Sequence, residues 1–112
     1  MSARPVPVRS TTLREDSQPG YSRSEWAALD DAGALTIEGQ SLSSSADFYE
    51  YEWAFQVAAE QVPRLVAALG GAAGDDVLPL LVEHCRVHHP PDFPGLMDGD
   101  GIQYEFWSRV GD

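Results

Sequence analysis

The sequence predicts an α+β fold with an antiparallel sheet of three strands, or four if the C-terminal segment also pairs, and two helices packed on one face. Three observations lead to this prediction. Residues 47–57 alternate between aromatic or apolar and acidic or polar side chains, as in a strand with one buried face. Two shorter runs before this strand flank a turn. Two segments after it carry apolar residues at helical spacing.

The composition indicates one soluble domain. The chain has 112 residues, 43% of them hydrophobic, which is enough for a core without disulfides or metal. Residues 1–22 are rich in Ser, Thr, Arg and Pro, which predicts a disordered tail, so residues 23–112 are the single compact domain. No stretch has the pattern of a signal peptide or a membrane helix, and the single cysteine, Cys85, has no disulfide partner in the chain. These features predict a cytoplasmic protein.

The charge is acidic and unevenly distributed. The formal net charge is −11: residues 1–23 hold four arginines against two acids (+2), and the rest holds three arginines against sixteen acids (−13). An acidic body repels nucleic acids and anionic membranes, so neither is an expected partner, whereas a basic protein is attracted. The chain has no lysine, which excludes Schiff-base and phosphate-loop lysine chemistry.

A hairpin is predicted before the long strand. Residues 26–29 and 34–40 are short runs separated by an Asp- and Gly-containing turn at 30–33. In the second run Leu35 and Ile37 alternate with polar residues, whereas the two alanines of the first run also suit a helix. A Ser-rich loop over residues 41–46 leads into the long strand, so a three-stranded meander is expected.

Two helices are predicted, one on each side of the glycine-rich segment 70–74. The first covers residues 60–69, and the second begins at Asp75-Asp76, which are good N-cap residues, and ends near Val87. Residues 92–97 suit one further helical turn, and residues 102–107 alternate as in a short strand whose pairing is left open. The residues predicted to share an apolar helix face are Val62, Leu65, Val66 and Leu69 in the first helix, and Val77, Leu80, Leu81 and His84 in the second.

The residues quoted above also carry a resemblance. Residues 35–42, 49–53, the Val62-Pro63 helix start and residues 102–107 together resemble a widespread set of small uncharacterised bacterial proteins. The resemblance covers residues 34–112, and the set often carries Asp where this chain has Ser41. It implies a compact single domain and, because the set has no established activity, it implies no catalytic residue.

His84, Cys85 and His88 are the main candidates for chemistry. On a helix His84 and His88 are four residues apart, as are Cys85 and His89, which suits two ligands of one metal ion or a Cys–His nucleophile pair. However, the rest of the chain has no Cys or His to complete a metal site, and a cysteine near the buried helix face is usually inert. We therefore predict no metal, cofactor or catalytic residue, with a metal-binding protein or small enzyme as the alternative.

The favoured interpretation is a small non-enzymatic protein-binding module. Glu50 and Glu52 share one face of the long strand, and Tyr104 and Trp107 lie in an aromatic and acidic segment near the C-terminus. Together they are predicted to bind and mask a basic partner, as immunity or antitoxin-like proteins do. A merely solvated polar face is the alternative for the two glutamates, and a scaffold pairing through a free sheet edge is a third interpretation. The partner's identity and the oligomeric state are left open.

Overall fold

The computed structural model describes residues 7–43, 49–88 and 90–111, which form five strands and three helices. The strands are β1 (Pro7–Gln18), β2 (Tyr21–Asp30), β3 (Leu35–Ser43), β4 (Tyr49–Val57) and β5 (Glu105–Gly111). The helices, all between β4 and β5, are α1 (Val62–Ala68), α2 (Val77–Val87) and α3 (Phe93–Gly99), and a 3-10 turn at Ala59–Gln61 precedes α1. None of the described helices is long and apolar enough to cross a membrane.

The strands form one antiparallel sheet whose spatial order follows the chain, β1-β2-β3-β4-β5. This confirms the α+β class and the antiparallel sheet. The long strand is β4, and it has a neighbouring strand on each side. The predicted strand number of three or four is wrong, because β1 extends the sheet at one edge and β5 at the other. The described part of the chain has three helices and not two, and the third, α3, lies where residues 92–97 suited one further helical turn.

The N-terminal segment differs most from its prediction. Residues 7–22, for which the composition predicts a disordered tail, form β1 and the start of β2, while residues 1–6 lie outside the described ranges. An edge strand is held by backbone hydrogen bonds to its neighbour, and these need few apolar side chains. In addition, Leu13 packs against the core and Arg9 donates a hydrogen bond to Asp76 at the start of α2. A rule that counts apolar side chains therefore misses this strand.

The predicted hairpin is confirmed as β2 and β3. The Asp30 side chain accepts hydrogen bonds from the backbone N–H groups of Ala32 and Ala34, both at 2.9 Å, and Gly33 has a φ of +88°. A positive φ costs glycine no steric strain, so the turn is built from residues that suit it. The pairing sets Ala27 opposite Ile37, and the exposed fractions of these side chains are 0% and 1%.

The core lies between one face of the sheet and the three helices. The alternation predicted for β4 is confirmed over its described residues, because Trp53, Phe55 and Val57 face the helices and are buried. Residues 47 and 48 of the predicted strand lie outside the described ranges. In α2 the buried side is shifted from the predicted one and includes Leu78 and Cys85, not His84. The helix residues of the core are Leu65, Val66, Val77, Leu78, Leu81, Cys85, Phe93 and Met97.

Capping side chains set where α2 and α3 begin. Asp76 caps its N-terminus, since the carboxylate accepts a hydrogen bond from the backbone N–H of Leu78 at 3.1 Å, and the helix ends at Val87. Both features agree with the sequence prediction. The carboxylate of Asp92 caps α3 in the same way, by accepting a hydrogen bond from the N–H of Gly95 at 3.0 Å. The caps fix where each helix begins and therefore which of its residues reach the sheet.

Candidate functional site

The face of the sheet opposite the helices is a continuous polar surface, which we call the open face. Directly paired residues of an antiparallel sheet share a face, so the strand registers define its members. All of them are half-buried or exposed except Ala54. They are Ser10, Thr12, Glu15 and Ser17 on β1; Ser22, Ser24, Trp26 and Ala28 on β2; Thr36, Glu38, Gln40 and Leu42 on β3; Glu50, Glu52, Ala54 and Gln56 on β4; and Glu105, Trp107 and Arg109 on β5.

A row of four side chains crosses the middle of the open face. Trp26 lies opposite Glu38, Glu38 lies opposite Ala54, and Ala54 lies opposite Trp107. Ala54 is 1% exposed although no described helix lies on this side, because its small side chain is flanked by two larger ones. Trp107 is 36% exposed. The row therefore carries a carboxylate and a methyl group between two indole rings.

The open face is acidic. Among its described residues are five carboxylates, those of Glu15, Glu38, Glu50, Glu52 and Glu105, and a single cation, Arg109. The guanidinium of Arg109 donates to the carboxylate of Glu52 at 2.8 Å, so part of the negative charge on this face is already paired. The remaining carboxylates give the face a negative potential that favours cationic groups.

Glu50 and Glu52 do not form a carboxylate pair with another acid across the sheet. Glu50 lies opposite Leu42 and accepts a hydrogen bond from the Gln40 amide at 2.7 Å, and Glu52 lies opposite Gln40. Acid–base catalysis by two carboxylates needs neighbouring acids in contrasting environments. The two glutamates instead lie on the open face, in contact with the neutral side chain of Gln40 and the basic side chain of Arg109.

Tyr104 lies apart from the other three predicted partner-binding residues. Its ring packs on the helix-covered side, with its centroid 5.9 Å from that of Phe55. Loss of solvent, followed by the charge of Asp98 and a hydrogen bond to it, raises the pKa of Tyr104. The structure thus brings Glu50, Glu52 and Trp107 together on the open face and leaves Tyr104 out, because Tyr104 is three residues before Trp107 and alternation places it on the opposite face, with Phe106.

Trp26 and Glu38 were missed as members of this surface. The position of the hairpin turn in the sequence already indicates that they pair. Closing the turn between Asp30 and Ala34 pairs Leu29 with Leu35 and, three residues further, Trp26 with Glu38. The alternation of β3 then assigns both side chains to the polar face.

The cluster of His84, Cys85 and His88 is split, because α2 places Cys85 in the core and the two histidines outside it. Cys85 is 1% exposed and lies in the core, where burial, with a smaller contribution from the charge of Glu25, raises the pKa of its thiol to about 11. The rings of His84 and His88 lie side by side with centroids 4.4 Å apart, and burial, followed by the charge of His88, lowers the pKa of His84. Residue 89 lies outside the described ranges. The buried thiol is thus unsuited to nucleophilic attack at neutral pH.

No group of three or more His, Cys, Asp or Glu side chains within residues 7–43, 49–88 and 90–111 is close enough together to hold a metal ion. His84 and His88 would therefore need a further ligand from outside these residues to form a conventional site.

A cleft of about 500 Å³ opens at one end of the sheet. It lies where β3 begins and β4 ends, and Asp30, Glu60, Gln103 and Tyr104 contribute to its walls. The backbone N–H of Gln103 donates to the Gln61 side chain at 3.2 Å, which ties the segment before β5 to the 3-10 turn. The cleft is thus a concave site lined by three acids, Asp30, Glu60 and Glu105, at the end of the sheet.

Comparison with known proteins gives no match for this chain among protein-family models, curated proteins or solved structures. The resemblance to a set of small bacterial proteins therefore stays a prediction. The function is inferred from the chemistry of the chain's own residues.

Proposed function

We propose that this chain is a small non-enzymatic binding module that holds a basic segment of a partner protein on its open face. The observation that carries the proposal is the row of Trp26, Glu38, Ala54 and Trp107, with further carboxylates on both sides of it. This surface is formed by the central and edge strands of a sheet whose opposite face is packed against helices. Residues on such a rigid support need little reordering on binding.

Charge supports a basic partner over an acidic or neutral one. The chain has a net charge of −11, which attracts a cationic partner at long range and speeds its association. At short range Glu38 and Glu50 offer carboxylates that no arginine pairs within the described residues, whereas Glu52 is already held by Arg109. Arginine side chains of a partner would form bidentate hydrogen bonds with such carboxylates.

The tryptophans support the same type of partner. Trp26 lies on β2 and Trp107 on β5, so three strand spacings, or about 14 Å, separate their backbones. Indole rings bind guanidinium and ammonium groups through cation–π contacts and are frequent at the centres of protein interfaces. Ala54 between them is 1% exposed, so the larger side chains beside it form the surface that a partner would contact. An extended basic segment crossing the strands would contact both rings.

The sharper form of the proposal is an immunity or antitoxin-like role. A basic enzyme or toxin whose active surface binds nucleic acid presents many arginines and lysines, and an acidic face can cover them in place of the phosphates. The chain then acts by masking and performs no chemistry. Glu50, Glu52 and Trp107 are the predicted site residues that serve this role, joined by Trp26 and Glu38.

The proposal predicts that an arginine-rich peptide binds the open face. The probe is a short, unstructured peptide of alternating Arg and Ser, titrated into the full chain while amide shifts are followed by NMR. The largest shifts should map to β2–β5 around Trp26 and Trp107, and binding should weaken as salt is added, because the attraction is between charges. Replacing Glu50 and Glu52 by lysine together should weaken binding about tenfold or more.

The matched control carries the same change in net charge elsewhere. Asp31 and Glu60 are exposed and lie outside the open face, so Asp31→Lys with Glu60→Lys should weaken binding much less than the pair on β4. If both double variants lose the same affinity, the peptide responds only to total charge and the proposed surface is wrong. Shifts confined to the cleft at the end of the sheet would also contradict it.

A further inference from the structure

The two edges of the sheet are protected to different degrees. The free edge of β1 has register shifts after Pro7 and before Arg14, and α2 lies beside the strand, joined to it by the ion pair of Arg9 with Asp76. Bulges, proline and charged side chains are the usual devices that prevent an edge strand from pairing with another chain. The charged residues of β1 are Arg9, Arg14, Glu15 and Asp16.

The free edge of β5 has neither a register shift nor a proline in its described residues, and it carries two charged side chains, Glu105 and Arg109, against four on β1. It pairs with β4 in one unbroken register from Glu105 to Gly111 and contains no proline. Its apolar side chains face solvent: Phe106 is 52% exposed, Trp107 36% and Val110 68%. Exposed apolar residues along an unpaired backbone form a template for a further strand.

We propose that this edge binds a second copy of the chain, with β5 pairing antiparallel to β5 of the other copy about a two-fold axis at Ser108. The faces of the sheet continue across the junction only if paired residues have the same alternation, which limits the possible registers. Centring the pair on Ser108 sets Phe106 opposite Val110 of the second copy, on the helix-covered side. It also sets Trp107 opposite the second copy's Arg109, on the open face.

This register pairs each exposed large side chain with a complementary one. Residues directly opposite each other have Cβ atoms about 5 Å apart, so the phenyl ring of Phe106 would cover the valine methyl groups. On the other face, the guanidinium of Arg109, 69% exposed and held by Glu52, would lie beside an indole ring. Centring the pair on Trp107 would instead set Phe106 opposite Ser108, and Val110 opposite Tyr104, which lies before β5 and packs on Phe55.

Charge also favours a second copy over a basic partner at this edge. β5 holds one acid, Glu105, and one base, Arg109, so the strand has no net charge on a chain with a net charge of −11. Two acidic molecules repel each other least where such a neutral strip meets its equivalent. A basic segment, in contrast, gains nothing from a neutral edge and is drawn to the open face.

The dimer goes beyond the proposed binding function and is independent of it. Pairing of the two β5 strands would join two five-stranded sheets into one of ten strands, with both sets of helices on the same side. The two open faces would then form one continuous acidic surface, with the second Trp107 close to the first. A partner with two basic segments could bind both halves at once.

The first experiment measures mass by sedimentation velocity for the full chain over a wide range of concentrations. We expect a dimer of twice the 12.2 kDa chain mass, and Val110→Asp should raise its dissociation constant about tenfold or more by placing charge in the apolar contact. The matched control is Val8→Asp on β1, since Val8 is 62% exposed at the opposite edge, and its dimer should persist. Circular dichroism checks that both variants fold.

Salt separates this proposal from the binding function. Added salt should strengthen the dimer, because it screens the repulsion between two acidic copies, whereas it should weaken the binding of the arginine-rich peptide. A chain that is a monomer at every concentration and salt would overturn the dimer and leave the binding function standing. A dimer that survives Val110→Asp but not Val8→Asp would also overturn it.

A second experiment tests the register. In Ser108→Cys the two new thiols meet at the two-fold axis, with Cα atoms within the range of about 4.4–6.8 Å that a disulfide spans, so mild oxidation should link the copies. In Glu105→Cys the thiols are six residues apart along the paired strands, or about 20 Å, and should stay unlinked. Linkage of the Glu105→Cys variant in preference to Ser108→Cys would overturn the proposed pairing.

Discussion

The helix-covered face and the open face of the sheet are made from alternate residues of the same strands, yet they differ in both chemistry and burial. On β3, Ile37 is 1% exposed beneath the helices, while its neighbours Thr36 and Glu38 face the other way and are only half-buried. One face holds the fold together by excluding water. The other keeps carboxylates and indole rings in contact with solvent. The comparison teaches that alternate residues of one strand can hold the fold together on one face and leave the other face available for the binding that we propose.

The division is not complete, because each face contains an exception. Glu25 is 3% exposed on the helix-covered face, where it accepts a hydrogen bond from Arg23 at 3.0 Å. The Arg23 guanidinium also lies 4.8 Å from the centroid of the Trp53 ring, so the cation that pairs with Glu25 has an aromatic neighbour as well. On the open face Ala54 is 1% exposed. Mutations of adjacent residues can therefore measure how far the two faces are independent.

The largest expected difference is in stability, between two adjacent residues of β3. Ile37→Ala removes a buried side chain and leaves a cavity, so it should lower the free energy of unfolding by about 3 kcal/mol. Thr36→Ala, on the open face, should lower it by less than about 1 kcal/mol, mainly through strand propensity. Urea unfolding followed by tryptophan fluorescence measures both. Equal losses for the two variants would show that the open face is also packed.

A second expected difference is in thiol reactivity. Because burial raises the pKa of Cys85 to about 11, its thiolate fraction at neutral pH is lower than that of an ordinary thiol by about a hundredfold. A cysteine placed on the open face by Thr12→Cys should react at an ordinary rate. In that variant, alkylation by iodoacetamide followed by mass spectrometry should show one fast and one slow site. Equally fast modification of Cys85 would show that the helix side opens readily.

The smallest expected effect concerns the contact between α2 and β1. The hydrogen bond from Arg9 and the backbone N–H of Leu78 hold the pKa of Asp76 below its usual value. Such a carboxylate stabilises the folded state above its unfolded pKa, and this contribution is lost as the pH falls through the lower folded pKa. Asp76→Ala should lower the free energy of unfolding by about 1 kcal/mol at neutral pH, and this difference from wild type should shrink below about pH 4.

Asp76→Asn is the control for this prediction. Asparagine caps a helix about as well as aspartate, so this variant keeps the cap and removes only the charge that faces Arg9. Thermal unfolding at neutral and acidic pH measures both variants. If the cost of Asp76→Ala did not change with pH, the carboxylate would not be the stabilising group.

Much of the fold could be predicted from patterns that act locally. The alternation along β4, the Asp30–Gly33 turn and the Asp76 cap each involve neighbours in the chain, and each is present as expected. Three of the four predicted binding residues share the open face. Alternation along β4 is enough to place two of them, Glu50 and Glu52, on the same side of the strand. Local patterns are therefore enough to predict that β4 has an acidic face.

Other features depend on contacts between distant parts of the chain. β1 is polar, and only its pairing with β2 and its contact with α2 make it a strand, so its composition indicated disorder instead. Tyr104 was included in the surface because it is close in sequence to Trp107, but a separation of three residues in an extended chain puts the two side chains on opposite faces, and the Tyr104 ring meets Phe55. Side-chain composition alone carries no information about such pairing.

By itself, the sequence determined the class of the fold, the long central strand, the hairpin and the acidic character of the chain, because alternation, turn chemistry and charge act over a few residues. Only the tertiary structure decided that the sheet has five strands, that Trp26 and Trp107 lie on one row with Glu38, and that β5 is left with an exposed edge. The reason is that strand order and register come from hydrogen bonds between backbones far apart in the chain, which every residue type can form.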